Sequence, residues 1–172
     1  MARSRLFCIE DLELEFSNGT VCNYERLTAS YNGAVLVIPL LDNDTVLMIR
    51  EYAAGTHQYE LGLPKGKIDD GEHELDAANR ELQEETGYAS NQLEHLQSIT
   101  IAPGYLGYKT HIILARDLYP SNAEGDEPEP IEVIPWKLSE LDQLMVRDDF
   151  TEARSMLALY LVRDKLASES VK

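Results

Sequence analysis

The chain is poor in the residues that would place it outside a reducing compartment, on a membrane or on nucleic acid. Its 172 residues include 2 cysteines, 1 tryptophan and 3 phenylalanines, and 15 basic side chains stand against 31 acidic ones. The formal charge of −16 argues against a nucleic-acid polymer or an anionic membrane as partner. No apolar run is long enough to span a bilayer, and the first residues lack a signal-peptide core, so a cytoplasmic address is expected. The cysteines do not suggest a disulfide. Asn18-Gly19 reads as a hairpin turn between LELEF and TVCNYER, which sets Cys22 opposite Glu15 and Cys8 near Ala29. That leaves the sulfurs several rungs apart, and both are expected as buried thiols. His57, His73, His95 and His111 are scattered without metal-ligand spacing and are expected as surface or core residues. There is no internal repeat and no interdomain linker.

What is present fits one domain with a real core, since 44% of the residues are hydrophobic. A hairpin over residues 4–26 comes first. AVLVIPLL is continuous enough for a strand buried on both faces, and the turn Asp42-Asn43-Asp44 leads into TVLMIREY. QYELGL alternates as a strand and delivers the chain to Pro64-Lys65-Gly66. Later come the strands LEHLQSITIA, KTHIILARDL and IEVIPW, the short helix LSELDQLM and a long helix over 151–166. SNAEGDEPEP is an acidic loop. Strands at the front, one helix mid-chain and helices at the end predict a mixed sheet between helices, an α/β fold.

One stretch, GKIDDGEHELDAANRELQEETGY at 66–88, organises the rest. Asp69-Asp70-Gly71 offers a turn and an N-cap and Gly87 a stop, which predicts a helix over 72–86 with Leu75, Ala78 and Leu82 facing the core. Glu81 and Glu85 are then neighbours on one helix surface, with Glu84 on the flank. Carboxylates so close repel one another unless a hard divalent cation, Mg²⁺ first, joins them. Arg80 can make a bidentate pair with a nearby glutamate, and Glu72 anchors the junction between loop and helix.

The spacing is Gly66, five residues, Glu72, seven residues, then Arg80-Glu81-Leu82-x-Glu84-Glu85-x-Gly87 and a bulky apolar residue. It resembles the Nudix box, the signature of hydrolases that cleave a nucleoside diphosphate linked to another moiety. LEFSNG, REYAAG, QYEL and EGDEPEP, with Pro103 beyond the box, are similar to the ADP-ribose diphosphatase branch, while Tyr105 stands where dinucleoside polyphosphate hydrolases tend to carry a tyrosine. The resemblance implies an α/β/α sandwich. It also implies metal-dependent release of AMP from ADP-ribose, diadenosine polyphosphates such as diadenosine triphosphate, or NADH. A Nudix-like sensor that binds ADP-ribose or a dinucleotide without cleaving it is the rival, although such modules tend to lose the glutamates kept here.

Site assignments follow from the residues and the resemblance together. Glu81, Glu84 and Glu85 are the metal ligands, with Mn²⁺ as the alternative to Mg²⁺, and the family adds the carbonyl of Lys65. Arg80 orients the carboxylates. Arg50, with Glu51 beside it near a strand end, is the candidate grip on the non-reacting phosphate. Pro103 and Tyr105 are further substrate-contact candidates. Related enzymes carry a glutamate base after the Pro-Gly; here Tyr108 and Lys109 stand instead. Glu84 is therefore the first candidate for general base, with Glu124, Asp126, Glu127 and Glu129 of the acidic loop in reserve. Relatives of this branch form homodimers by exchanging N-terminal strands. Residues 1–32 are expected as a dimerisation hairpin and 33–172 as the Nudix domain. Trp136, Phe7, Tyr24 and Tyr52 are expected to pack in the core rather than stack on a base.

Overall fold

The computed structural model describes residues 2–4, 7–28, 33–125 and 128–170. Its architecture follows from one strand with two apolar faces. In β4 (Ala34–Pro39), Val35 and Val37 point to one side and Leu36 and Ile38 to the other, all fully buried. Beside β4 run β7 (Lys65–Lys67, antiparallel) and β9 (Thr110–Pro120, parallel), and β8 (Tyr88–Ile99) closes the sheet antiparallel to β9. On the Val35 side, α1 (Glu74–Thr86) lays Ala77, Ala78 and Leu82 against Ile113 and Ala115 of β9. On the Leu36 side, α2 (Leu141–Leu144) and α3 (Ala153–Glu169) share a core with the second sheet. That sheet has the order β10 (Glu132–Lys137), β5 (Thr45–Ala53), β6 (Gln58–Gly62). The expected mixed sheet between helices is therefore present, with a small antiparallel sheet added on one side. None of the helices among the described residues is long and apolar enough to cross a membrane.

The helix α1 starts two residues later than its spacing predicts. Asp69–Glu72 closes as a turn, the Glu72 N–H donating to the Asp69 carbonyl at 3.1 Å while the Glu72 carboxylate accepts from the Asp69 N–H at 3.0 Å. Glu72 is thereby held outside the helix, and the His73 side chain becomes the N-cap, accepting from the Leu75 N–H. Gly87, in the left-handed conformation at φ 74°, ends the helix as expected.

The first turn of α3 is built on a carboxylate. Glu152 caps it by accepting from the N–H groups of Arg154 and Ser155. Ser155 is fully buried, and its hydroxyl accepts from the Leu63 N–H at 3.0 Å while donating to Glu152 at 2.8 Å. The chain entering Pro64-Lys65 is thus pinned from behind.

A separate three-stranded sheet, β1 (Ala2–Arg3), β2 (Cys8–Glu15) and β3 (Val21–Thr28), forms the N-terminal arm. Its register differs by one residue from the expected pairing. Leu14, not Glu15, faces Cys22, and Cys8 faces Thr28, Ala29 itself lying outside the described residues. The cause is the turn. Phe16 pairs with Thr20 across three loop residues ending in Gly19 at φ 81°, rather than across two. The cysteines stay far apart and free, but neither is buried as expected: Cys8 is half-buried and Cys22 exposed. The aromatic expectation also fails at three positions: Phe7, Tyr24 and Tyr52 are 57%, 45% and 49% exposed. Trp136 does pack on the core, with the Arg147 guanidinium 5.5 Å from its ring.

Candidate active site

The box residues converge because α1 presents its acidic face to the edge strand β7. Glu81 and Glu85, one turn apart, are both buried, and Glu84 is half-buried beside them. Gly66 explains itself here: any Cβ at that position would overlap the Glu81 carboxylate, so a side chain there would push that carboxylate out of the place where Arg80 holds it.

Arg80 is the hub of the arrangement. Its Nε and Nη2 donate to the two oxygens of Glu72 at 3.0 Å each, and Nη2 also donates to the Lys67 carbonyl at 2.9 Å. Its Nη1 reaches Glu81 at 2.6 Å and Glu84 at 3.2 Å. The forked pair with Glu72 ties the pre-helix turn to the helix, in keeping with the charge pattern of the sequence. It holds the Glu72 carboxyl below its usual range, and the same partners keep Arg80 firmly protonated. With its nitrogens committed to carboxylates and backbone, Arg80 acts as a scaffold.

Glu85 sits differently. Burial pushes its carboxyl up to about 8, with Glu51 and Glu81 adding to the rise against the opposing pull of Lys65. The Lys65 N–H donates to Glu85 at 2.9 Å, and the Lys65 ammonium is paired with Glu51. A cation at its free oxygen would offset the cost of ionising this buried carboxylate. Three glutamates and the Lys65 carbonyl supply only hard oxygen donors, which fits Mg²⁺ or Mn²⁺.

These groups line a cavity of about 900 Å³ whose opposite wall is the acidic loop, including Glu124 and Glu129. Asp126 and Glu127 lie outside the described residues. A smaller recess of about 410 Å³ shares Pro128–Ile131 with it and is lined further by Arg50, Glu51, Tyr52 and Tyr59. Arg50 therefore stands in the annex rather than against the box carboxylates, 3.8 Å from Glu132 and over the Tyr59 ring at 5.8 Å. Pro103 and Tyr105 line neither cavity. They lie in an exposed turn whose Tyr105 carbonyl accepts from the Leu27 N–H of the arm at 2.8 Å.

Two features are not legible from the sequence patterns. Lys67 lines the main cavity and, among the described residues, its ammonium has no carboxylate partner, so it is a cation available to a phosphate. The signal that could reveal it is its place directly after the box glycine. Tyr59 donates to Glu129 at 2.6 Å, an interaction that holds its own phenol proton on, and it stacks edge-on against Tyr52 with ring centroids 5.5 Å apart. The QYEL alternation marks a strand but not which tyrosine reaches the loop.

Known proteins agree with this geometry. The NUDIX domain family matches residues 30–160, and the NudE-type Nudix hydrolase N-terminal domain matches residues 1–26. The ADP compounds hydrolase NudE of Escherichia coli (strain K12) is 48% identical over 169 residues, covering 98% of this chain and 90% of that protein. An ADP-ribose pyrophosphatase of Bacillus subtilis (strain 168) is 28% identical over 166 residues, covering 95% of this chain and 88% of its own. A crystal structure of an ADP compounds hydrolase superposes with a TM-score of 0.91 at 47% identity, covering 98% of this chain and 91% of that one. The chain belongs to the Nudix hydrolase family.

Proposed function

We propose that this hydrolase cleaves the diphosphate linkage of ADP-linked compounds (ADP-ribose, diadenosine polyphosphates, NADH) and releases AMP, in the cytoplasm. The observation that carries the reading is the convergence of Glu81 and Glu84 on Arg80, with Glu85 one turn from Glu81 and bonded by the Lys65 N–H, all lining a cavity large enough for a dinucleotide-sized ligand. Its relatives named for ADP compounds and ADP-ribose support the adenosine diphosphate half of the substrate.

Glu81, Glu85 and the Lys65 carbonyl, with Glu84 assisting, would hold a divalent cation, Mg²⁺ first, which would supply charge neutralisation at the diphosphate. Arg80 fixes the carboxylates in place, so little reorganisation is needed when substrate arrives. Glu84 takes the proton from the attacking water, and Glu124 across the cavity is its competitor. Glu129 is a weaker one, because Tyr59 already occupies its carboxylate. Lys67 and, from the annex, Arg50 hold the phosphate that is not attacked. Pro103 and Tyr105 act through the arm they support.

A homodimer completes the proposal. Phe7, Ile9, Leu14, Phe16, Val21 and Tyr24 on the arm are all more than a third exposed, an apolar display that a second copy would cover.

The deciding experiment is product analysis by mass across ADP-ribose, diadenosine triphosphate and NADH in ¹⁸O-water with Mg²⁺. AMP from at least one of them is expected, with the label reporting the attacked phosphorus. Tight binding of ADP-ribose without turnover would replace this reading with that of a sensor.

A further inference from the structure

Two of the four scattered histidines meet at the far end of the box helix. His95 lies on β8, His111 on β9 and Glu74 is the first residue of α1. The Ser98 hydroxyl bridges the imidazoles, 2.9 Å from His95 Nε2 and 3.0 Å from His111 Nδ1. The Glu74 carboxylate lies 3.5 Å from the same His111 nitrogen. One ligand atom from each of Glu74, His95 and His111 lies within 4.8 Å of the others.

The chain spends an irregularity on this meeting. In a regular strand, residues three apart point to opposite faces. Here a bulge breaks the register between His95 and Gln97, so Leu96 and Gln97 together span the one partner Ile112. Leu96 packs on the α3 side, and both His95 and Ser98 fall on the α1 side, facing Ile113 and His111. Without the bulge the cluster would not exist.

We propose that Glu74, His95 and His111 form a second metal site, separate from the box carboxylates, for a divalent transition metal of the Zn²⁺ class. Two imidazole nitrogens and one carboxylate oxygen suit Zn²⁺, Ni²⁺ or Cu²⁺ and are a poor set for Mg²⁺, which prefers oxygen alone. Three protein ligands leave the fourth tetrahedral position to water. The 3.5 Å between Glu74 and His111 is already close to the edge of such a tetrahedron, and exposed His95 can swing the remaining distance. At 1.5 Å per residue, Glu74 and Glu85 sit about 16 Å apart along the helix. The site therefore ties the helix start to the β8–β9 hairpin without touching the catalytic end.

The test uses full-length, chelator-stripped protein in saturating Mg²⁺, which occupies the box, titrated with Zn²⁺ by calorimetry. One equivalent of Zn²⁺ is expected to bind, and Zn²⁺ to raise the melting temperature. His95→Gln, at an exposed position where folding is not at risk, should weaken Zn²⁺ binding by at least about tenfold and abolish the thermal shift. His111→Asn should do the same, and Glu85→Gln should leave Zn²⁺ binding intact. The proposal is overturned by no Zn²⁺ binding in Mg²⁺, by binding indifferent to both histidine variants, or by binding lost in Glu85→Gln instead.

Discussion

The box loop-helix and the N-terminal arm put polar and apolar groups in opposite places. In the box, ionisable groups are half-buried or buried and find partners within it: Arg80 in Glu72, Glu81 and Glu84, and Glu85 in the Lys65 N–H. In the arm, the ladder from Cys8–Thr28 to Glu15–Val21 is unbroken, yet its large side chains point into solvent. Backbone bonding gives the arm a shape without a core, and sheets of that kind gain their stability by covering a face. The box has a core but also carries a cost, a carboxyl group kept from ionising. One region leaves apolar side chains open to solvent, the other keeps a carboxyl group from its charge.

The sharpest break of this contrast is Glu85→Gln, which keeps the shape and removes the charge. A loss of about a hundredfold or more in kcat is expected, with no loss of melting temperature in the absence of metal, because the neutral amide is what the site tolerates. Near-normal turnover in Mg²⁺ would remove Glu85 from the ligand set. Next comes the body's own core: Ile38→Ala should cost about 2–5 kcal/mol in denaturant unfolding. Serine at both Phe16 and Tyr24, whose rings lie 6.1 Å apart on the arm, should leave the body's unfolding nearly unchanged. It should instead shift light scattering from dimer to monomer and weaken adenosine binding; a dimer of unchanged strength would show that the arm is not the interface.

A pH series sharpens the same point. In the metal-free fold Glu85 keeps its proton up to about 8, whereas the unfolded chain loses it near 4.5. The folded state therefore binds the extra proton between those values, and this group makes the fold less stable as pH rises through that window. Mg²⁺ must expel the proton, so its stabilising shift in melting temperature should be larger at the upper end of the window than at the lower. An equal shift at both ends would mean that Glu85 is already ionised. The smallest effect belongs to the arm's surface. Arg26→Ala breaks the 2.9 Å pair with Glu10 and should change unfolding by under about 1 kcal/mol.

What the sequence discloses divides along this line. The helix, its buried Ala78 and Leu82 and the Glu81–Glu85 pair are consequences of 3.6-residue spacing and of charge, both local, whereas which glutamate takes the Arg80 fork is decided by the turn that holds Glu72 outside the helix. Spacing alone misplaces the helix start because Glu72 gives its carboxylate to the Asp69 N–H, a contact that only the closed turn creates. The arm's register slips by one because a three-residue loop and a two-residue loop share the same Asn-Gly signal. The exposure of Phe7, Tyr24 and Tyr52 is hidden because composition says a residue is apolar, not that a wall exists for it to meet. Arg50 lies in the annex and not against the box carboxylates, since β5 runs in the second sheet. The His95–His111 meeting depends on a bulge, which leaves no mark in hydrophobic alternation.

The hydroxyl of Ser155 gives this enzyme an unexpected kind of lever. It grips the Leu63 amide two residues before Lys65, which lines the cavity. Placement of the Lys65 carbonyl is thus inherited from the first turn of the last helix, through a fastening that no solvent reaches. Warming or truncating α3 should then blur the catalytic geometry before the sheets melt, so activity would fade ahead of unfolding.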